Sequence, residues 1–177
     1  ILSVAAIIAK AAVDQGLKVR QSEVHGMSQR GGAVLAHLRL SDSTIYSDLV
    51  PKGEADLIIS MEPLESLRYT AWLNPEGTLV SAAEPFINIP DYPELENIYS
   101  MIRSLPRSVI VETQNLAKEA GLARAANMVL IGAASPYLPI APEAMEGTIC
   151  ELFATKEPAV IDANIKAFRL GRSAAKA

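Results

Sequence analysis

The residues best suited to chemistry lie in one short stretch of this 177-residue sequence, residues 22–32, which reads SEVHGMSQRGG. An imidazole, a guanidinium, small polar side chains and three glycines fall within a few positions, between segments rich in apolar residues. Glycine permits backbone conformations and close approaches that other residues do not. Backbone N–H groups freed in such a turn, beside an arginine, can bind an anion. The stretch therefore predicts an anion-binding turn with these candidate residues: His25, Ser28, Gln29, Arg30, Gly31 and Gly32.

The same stretch also has a purely structural interpretation. In it the glycines shape a turn and a bulge, and Arg30 is solvated or pairs with an acidic residue such as Glu23. Residue spacing alone favours this structural interpretation over the binding one, so both are kept.

A second candidate, Glu62, follows the apolar run LIISM at residues 57–61. A continuous apolar run of this length is typical of a strand buried on both faces, so we predict a parallel, central strand. Glu62 and Pro63 then stand at the carboxyl end of that strand, where open α/β sheets bind ligands. Glu62 could contact a ligand or partner, or it could favour the positive end of a helix that begins at Pro63. The sequence favours the helix-end role.

The remaining sequence alternates between strand and helix patterns. Predicted strands cover residues 17–24, 32–40, 44–47, 78–82 and 108–112, and predicted helices cover residues 1–16, 64–72, 93–104, 113–121, 124–135, 142–153 and 158 onward. The turn at residues 41–44 predicts an antiparallel hairpin between the strands 32–40 and 44–47, with strand 32–40 near the centre of the sheet. Residues 85–93, broken by prolines, are predicted to cross the surface.

These patterns predict an α/β fold: a single Rossmann-like layered domain with a mixed, mostly parallel sheet flanked by helices. The helix at 124–135 is apolar nearly all round, so we expect it to be buried either in the domain or against another subunit. Cys150 lies in an apolar helical pattern and is expected in the core, with a reactive thiol as the alternative. His37 is expected to be hydrogen-bonded at a packed or interfacial surface, an interpretation favoured over a catalytic role.

Composition excludes several functions. The net charge is -4 and only 5% of residues are aromatic, so we expect no nucleic-acid partner. No apolar stretch approaches the ~20 residues of a membrane span, and no secretory signal is evident, so a cytoplasmic location is expected. One cysteine cannot form an internal disulfide or hold an iron–sulfur cluster, which usually takes four thiolates, and with two histidines we expect no metal.

Residues 23–32 (EVHGMSQRGG), together with residues 61–69 (MEPLESLRY), resemble the beta subunits of indolepyruvate ferredoxin oxidoreductases. These belong to the 2-oxoacid:ferredoxin oxidoreductase gamma-subunit family, and the resemblance runs through nearly the whole chain. Pyruvate and 2-oxoglutarate enzymes more often read Tyr-Gly-Pro-Glu, one residue, then Arg-Gly-Gly. His25 in place of the tyrosine, and Ser28-Gln29 in place of the Pro-Glu, favour the arylpyruvate branch.

The resemblance implies oxidative decarboxylation of indolepyruvate and other arylpyruvates to arylacetyl-coenzyme A, with reduction of ferredoxin. Thiamine diphosphate and the iron–sulfur clusters are expected on an alpha subunit, with coenzyme A as cosubstrate and this chain inactive alone. The expected partners are the alpha subunit, ferredoxin as acceptor of the complex, and a homodimeric or heteromeric assembly. Family members also begin with a strand and a glycine-rich turn before the first helix, and this sequence is expected to start just after that turn.

Two other functions remain open. The chain could be the gamma subunit of another 2-oxoacid:ferredoxin oxidoreductase. It could also be a non-catalytic α/β ligand-binding or assembly subunit, although it carries no complete Gly-x-Gly-x-x-Gly or Gly-Lys-Ser/Thr motif.

Overall fold

The structure is a computed structural model that describes residues 2–25 and 34–175. The described elements are, in chain order, α1 (Leu2–Asp14), β1 (Lys18–His25), β2 (Val34–Ser41), β3 (Ala55–Ser60), α2 (Pro63–Arg68), β4 (Leu73–Ala82), α3 (Leu95–Arg103), β5 (Ser108–Val111), α4 (Thr113–Glu119), α5 (Ala126–Ala134), α6 (Pro142–Leu152) and α7 (Pro158–Ala174). Gly16 ends α1 as predicted, with a positive φ of 83° that glycine adopts without a steric penalty.

A parallel three-stranded sheet, in the order β3-β4-β5, separates two layers of helices. Successive side chains of a strand point to opposite faces. Leu57, Ile59 and Val80 therefore join the main core cluster on one face, while Ile58 and Leu79 join a smaller cluster that includes residues of α3 on the other. This arrangement confirms the predicted α/β layered fold.

Helix α5 forms the centre of the main core. It is apolar on all sides, and every residue from Met128 to Ala134 is buried. It packs most extensively against α7, whose Phe168 is fully buried beside it. Of the two predicted environments for this helix, the structure shows burial within the domain.

Helix α7 is amphipathic. It begins with Pro158 in its first turn, where the missing N–H of proline costs nothing. Ala167, Phe168 and Gly171 are buried, whereas Lys166 and Arg169 are exposed. Among the described residues, no helix is both long and apolar enough to cross a membrane.

The antiparallel pair is β1 with β2, in register from Lys18 opposite Ser41 to His25 opposite Val34. The predicted partner of β2, residues 44–47, forms no strand, so that prediction was wrong. A ladder of eight pairs with β1 offers more hydrogen bonds than a four-residue hairpin strand could. The segment after β2 is held instead by Arg39, which donates to the carbonyl oxygens of Ser47 and Leu49 at 3.2 Å each.

Both strands predicted at the centre of a sheet lie at an edge. Within residues 2–25 and 34–175, β2 pairs only with β1 and β3 pairs only with β4. Apolar periodicity reports which faces are covered and carries no information about hydrogen bonding along the edges. The expectation for Cys150 was also wrong: Met145 and Ile149 fill the inner face of α6, and Cys150 is exposed.

Candidate functional site

A cleft of about 1500 Å³ lies between the β1–β2 pair and the three-stranded sheet. It is lined by residues 34–40 of β2, by β3 and the Glu62 that follows it, and by Val4, Ala5 and Ile8 of α1. One rim therefore lies where β2 begins, and another where β3 ends. In sequence, one set of candidate residues precedes β2, and the other candidate, Glu62, follows β3.

Glu62 caps α2. Its carboxylate oxygen Oε2 accepts a hydrogen bond from the backbone N–H of Glu65 at 2.6 Å, and Pro63 occupies the first helical position. A carboxylate at this end satisfies a free N–H group and is favoured by the helix dipole. The structure thus shows the helix-end interaction that the sequence favoured; a ligand contact by Glu62 stays a prediction.

The other oxygen of Glu62 holds the segment that follows β4. We call residues 85–93, which run across the end of the sheet, the strap. Oε1 accepts hydrogen bonds from the Tyr92 hydroxyl and from the Phe86 backbone N–H, the latter at 3.4 Å. Burial raises the pKa of Tyr92, and the hydrogen bond to the Glu62 carboxylate raises it further, so the phenol stays protonated and keeps donating. One carboxylate therefore fixes a helix start and both ends of the strap.

The strap presents large apolar side chains to solvent. Phe86 is 67% exposed and Ile87 is 68% exposed, and Phe86 also lines the cleft. The prediction that this segment crosses the surface is confirmed.

Glu84 is a second structural carboxylate, and sequence reasoning missed it. Its oxygens accept hydrogen bonds from the Thr113 hydroxyl at 2.8 Å and from the Gln114 N–H at 2.6 Å. Glu84 therefore caps α4 although it follows β4, while β5 is the strand that leads into α4. Burial raises the pKa of Tyr99, and the negative charge of Glu84 adds to the effect. The available signal was the dipeptide Glu-Pro at residues 84–85, which repeats the Glu-Pro at residues 62–63 after another buried strand.

The turn candidates lie mostly outside the described residues. Five of them fall between β1 and β2 in sequence, outside the described residues: Ser28, Gln29, Arg30, Gly31 and Gly32. His25 is the last residue of β1, opposite Val34. Because Val34 lines the cleft together with Glu62, the backbone of His25 lies beside a strand that borders the same cleft as Glu62.

Other polar groups line the cleft away from this rim. His37 is buried, and its Nδ1 accepts from the Val50 N–H at 3.2 Å, which confirms a hydrogen-bonded histidine. Because Nδ1 accepts this hydrogen bond, a neutral His37 ring carries its proton on Nε2. The Lys52 ammonium lies 4.9 Å from the centre of the Trp72 ring, a cation–π contact.

These groups can bind and position a ligand. The Lys52 ammonium can attract an anionic group of a ligand. The carboxylates of Glu62 and Glu84, whose oxygens are already hydrogen-bonded within the chain, instead hold the surrounding segments in place. Among the described residues, no three His, Cys, Asp or Glu side chains are grouped as a metal site would require.

Residues 1–174 match the family described as pyruvate ferredoxin/flavodoxin oxidoreductase. The chain belongs to this family. The family that the turn motif indicated is thereby confirmed.

Several sequence relatives are subunits of indolepyruvate oxidoreductases. Indolepyruvate oxidoreductase subunit IorB of Pyrococcus horikoshii is 38% identical, over 99% of this chain and 90% of that protein. The protein of the same name from Archaeoglobus fulgidus is also 38% identical, over 96% of this chain and 87% of its own length.

Solved structures share the fold. The 2-oxoglutarate:ferredoxin oxidoreductase from Magnetococcus marinus, with 2-oxoglutarate, coenzyme A and succinyl-CoA bound, aligns with a TM-score of 0.76 at 22% identity. The alignment covers 99% of this chain and 29% of that one, so the chain spans about three tenths of this larger protein. Pyruvate oxidoreductase subunit PORC from Thermotoga maritima aligns with a TM-score of 0.68 at 22% identity, over 97% of this chain and 88% of that subunit.

Proposed function

We propose that this chain is the beta subunit of an enzyme that oxidatively decarboxylates indolepyruvate and other arylpyruvates to arylacetyl-coenzyme A and reduces ferredoxin. The observation that carries the proposal is the 38% identity to indolepyruvate oxidoreductase subunits over almost the entire chain. The sequence HGMSQRGG at residues 25–32, with His25 where pyruvate enzymes more often have tyrosine, supports the same substrate class.

The work is divided between two subunits. The alpha subunit holds thiamine diphosphate, which supplies the carbanion chemistry, and the iron–sulfur clusters that pass electrons to ferredoxin. One exposed cysteine in the whole sequence supports this division, because this chain lacks the four thiolates that a cluster usually takes. The complex is a cytoplasmic heteromer, and this chain alone is inactive.

This chain contributes binding groups at the cleft rim. His25, Ser28, Gln29 and Arg30, with the N–H groups of Gly31 and Gly32, face the active site of the alpha subunit and position coenzyme A phosphates or the substrate carboxylate. The β1–β2 ladder supports this role, because it pairs His25 with Val34 and so fixes the backbone of two residues that flank this stretch in sequence. Glu62 contributes by holding the strap and α2 beside this rim.

A specific observation favours a second candidate, an assembly subunit that touches no substrate. Both carboxylate oxygens of Glu62 are engaged by the chain's own fold. A third candidate is the gamma subunit of another 2-oxoacid enzyme, supported by 29% identity to the 2-oxoglutarate synthase subunit KorC of Methanothermobacter marburgensis.

Reconstitution separates these candidates. Dye reduction that depends on an arylpyruvate and coenzyme A is measured with alpha alone, with this chain alone and with their mixture. We expect activity only in the mixture, and higher kcat/KM for indolepyruvate than for pyruvate or 2-oxoglutarate. Full activity of alpha alone would leave only a structural role for this chain, activity of this chain alone would refute the division of work, and preference for 2-oxoglutarate would favour the third candidate.

A further inference from the structure

The strap presents apolar side chains to solvent in a conformation that the rest of the chain fixes. Phe86, Ile87 and Ile89 are all exposed. Glu62 Oε1 accepts hydrogen bonds from both ends of the strap, from the Phe86 N–H and from the Tyr92 hydroxyl. Three of the nine residues of the strap are prolines, whose rings restrict the backbone. The strap is therefore ordered before it meets a partner, so its burial in an interface costs little conformational entropy.

Two neighbouring side chains of the strap have the character of interface anchors. Among the described large apolar side chains, only that of Tyr46 is more exposed than those of Phe86 and Ile87. Exposed apolar side chains that lie together mark a surface that binds another molecule. In protein–protein interfaces, a few large side chains near the centre supply most of the binding free energy. Phe86 and Ile87 are suited to that central position.

Carboxylates surround these two anchors. Glu62, Glu84 and Glu112 follow the parallel strands β3, β4 and β5, so they lie at the same edge of the sheet as the strap. The hydrogen-bond donors to Glu62 and Glu84 are neutral groups, and so is the Asn115 amide that donates to Glu112 at 2.7 Å. None of these donors offsets the negative charge of a carboxylate. This edge of the sheet is therefore acidic.

The sequence shows the same asymmetry of charge. Residues 69–102, which include the strap, contain five carboxylates and no lysine or arginine. Two of the five, Asp91 and Glu94, are exposed in or beside the strap. The net charge of the whole chain is -4, so the rest of the chain is close to neutral. A partner that covers the strap must therefore approach a concentrated negative charge.

We propose that the strap is the docking surface for the alpha subunit, and that Phe86 and Ile87 enter an apolar pocket of that subunit bordered by lysine and arginine side chains. This inference rests on the proposed function, because it takes the alpha subunit as the partner. Complementary charge around an apolar centre speeds association and disfavours wrong partners. A second copy of this chain is a poor occupant, because two acidic surfaces repel each other.

Assembly of variant complexes tests the two anchors. Sedimentation velocity of the coexpressed alpha–beta complex over a dilution series gives its Kd. We expect Phe86→Ser and Ile87→Ser each to raise Kd at least about 30-fold, as at an interface hot spot. Met101→Ser is the matched control, because Met101 is 58% exposed in the last turn of α3. Since β5 follows α3, this turn lies toward the amino end of β5, away from the strap. The control should change Kd by less than about twofold.

Salt and charge reversal test the acidic border. The Kd of the parent complex should rise with salt concentration, because salt screens attraction between opposite charges. The double variant Asp91→Lys/Glu94→Lys should raise Kd at least about tenfold at low salt and weaken its dependence on salt. Glu119→Lys/Asp162→Lys changes the net charge equally at exposed positions of α4 and α7, and it should leave Kd nearly unchanged.

The possible failures are distinguishable. If the parent chain forms no complex with the alpha subunit, the proposed function fails together with this inference. If an active complex forms and its Kd is unaltered by the two strap substitutions, or altered equally by Met101→Ser, only the docking inference is overturned. Loss of self-association in Phe86→Ser and Ile87→Ser, with binding to the alpha subunit unchanged, would assign the strap to a second copy and would also overturn it.

Discussion

The packing of α5 on α7 gives the sharpest prediction, because two glycines allow the backbones to touch. A Cβ placed on Gly132 would lie 2.8 Å from the carbonyl carbon of Phe168, and closer still to its oxygen. In the opposite direction, a Cβ on Gly171 of α7 would lie 2.7 Å from the carbonyl carbon of Val129 on α5. Gly132→Ala must therefore move one helix backbone, since no flexible side chain can yield.

The magnitude follows from two opposing effects. The carbonyl carbon is about 0.6 Å nearer than the 3.4 Å at which ordinary contact begins, so the helices must separate by at least this amount. Overpacking a rigid core lowers the free energy of unfolding by about 1–3 kcal/mol. We expect a value at the upper end, because the added Cβ meets backbone atoms. Replacing a helical glycine by alanine gains about 1 kcal/mol of helix propensity. We expect a net loss of about 2 kcal/mol, which lowers the melting temperature of a chain of this size by roughly 4–8 °C.

Urea and thermal unfolding followed by circular dichroism measure this loss. Gly147→Ala is the matched control, because Gly147 is also helical and a Cβ there meets nothing within 4 Å. The control should gain about 0.5–1 kcal/mol. The double variant Gly132→Ala/Gly171→Ala should lose less than the sum of the single losses, because one separation relieves both contacts. Gly132→Ala as stable as Gly147→Ala would refute the argument.

The other predictions concern three side chains. Glu62→Ala should lower the free energy of unfolding by about 1 kcal/mol and speed amide exchange in the strap, because the substitution removes both the helix cap and the contacts to the strap. Glu65→Ala, at an exposed ion pair, should stay within about 0.5 kcal/mol; equal loss in both would contradict a capping role. The Arg169 hydrogen bond lowers the pKa of Glu146 below its usual 4.5, so its stabilisation is present above that pH and is lost as pH falls through the lowered value. Unfolding titrations should therefore find Arg169→Gln less stable than the parent at pH 7 and equal to it near pH 2; a difference independent of pH would exclude this ion pair as its source. In the assembled enzyme, Arg30→Ala should raise KM for coenzyme A or lower kcat by about 30-fold, the equivalent of about 2 kcal/mol, and Arg30→Lys should restore part of the loss. Unchanged kinetics for both substrates would remove Arg30 from the site.

The fold could be predicted wherever side-chain burial decides the structure. The apolar run at residues 57–61 correctly indicated a parallel strand, and Pro142 and Pro158 correctly marked two helix starts. The same run could not show that β3 pairs with β4 alone among the described strands, because burial of a strand's faces shapes its sequence and pairing along its edges does not. The prediction of a strand at residues 44–47 beside β2 was wrong, because local turn signals rank nearby pairings above distant ones; the structure pairs β2 with β1.

The site was less predictable than the fold. Glu62 was found because a proline follows it and marks a helix start next to a strand end. Glu84 was missed because the helix that it caps, α4, begins 29 residues later in sequence, at Thr113. A capping partner supplied by another strand has no fixed spacing, so only the folded chain identifies it.

The position of α5 has a consequence for synthesis of the chain. Ile7 and Ile8 of α1 share one core with Phe168 of α7, and α7 ends 40 residues after α5. At about 5–20 residues per second, a ribosome needs roughly 2–8 s to make that interval. During this time α5 lacks α7, the helix that it packs against most extensively, so part of its apolar surface stays uncovered and available to chaperones on the nascent chain.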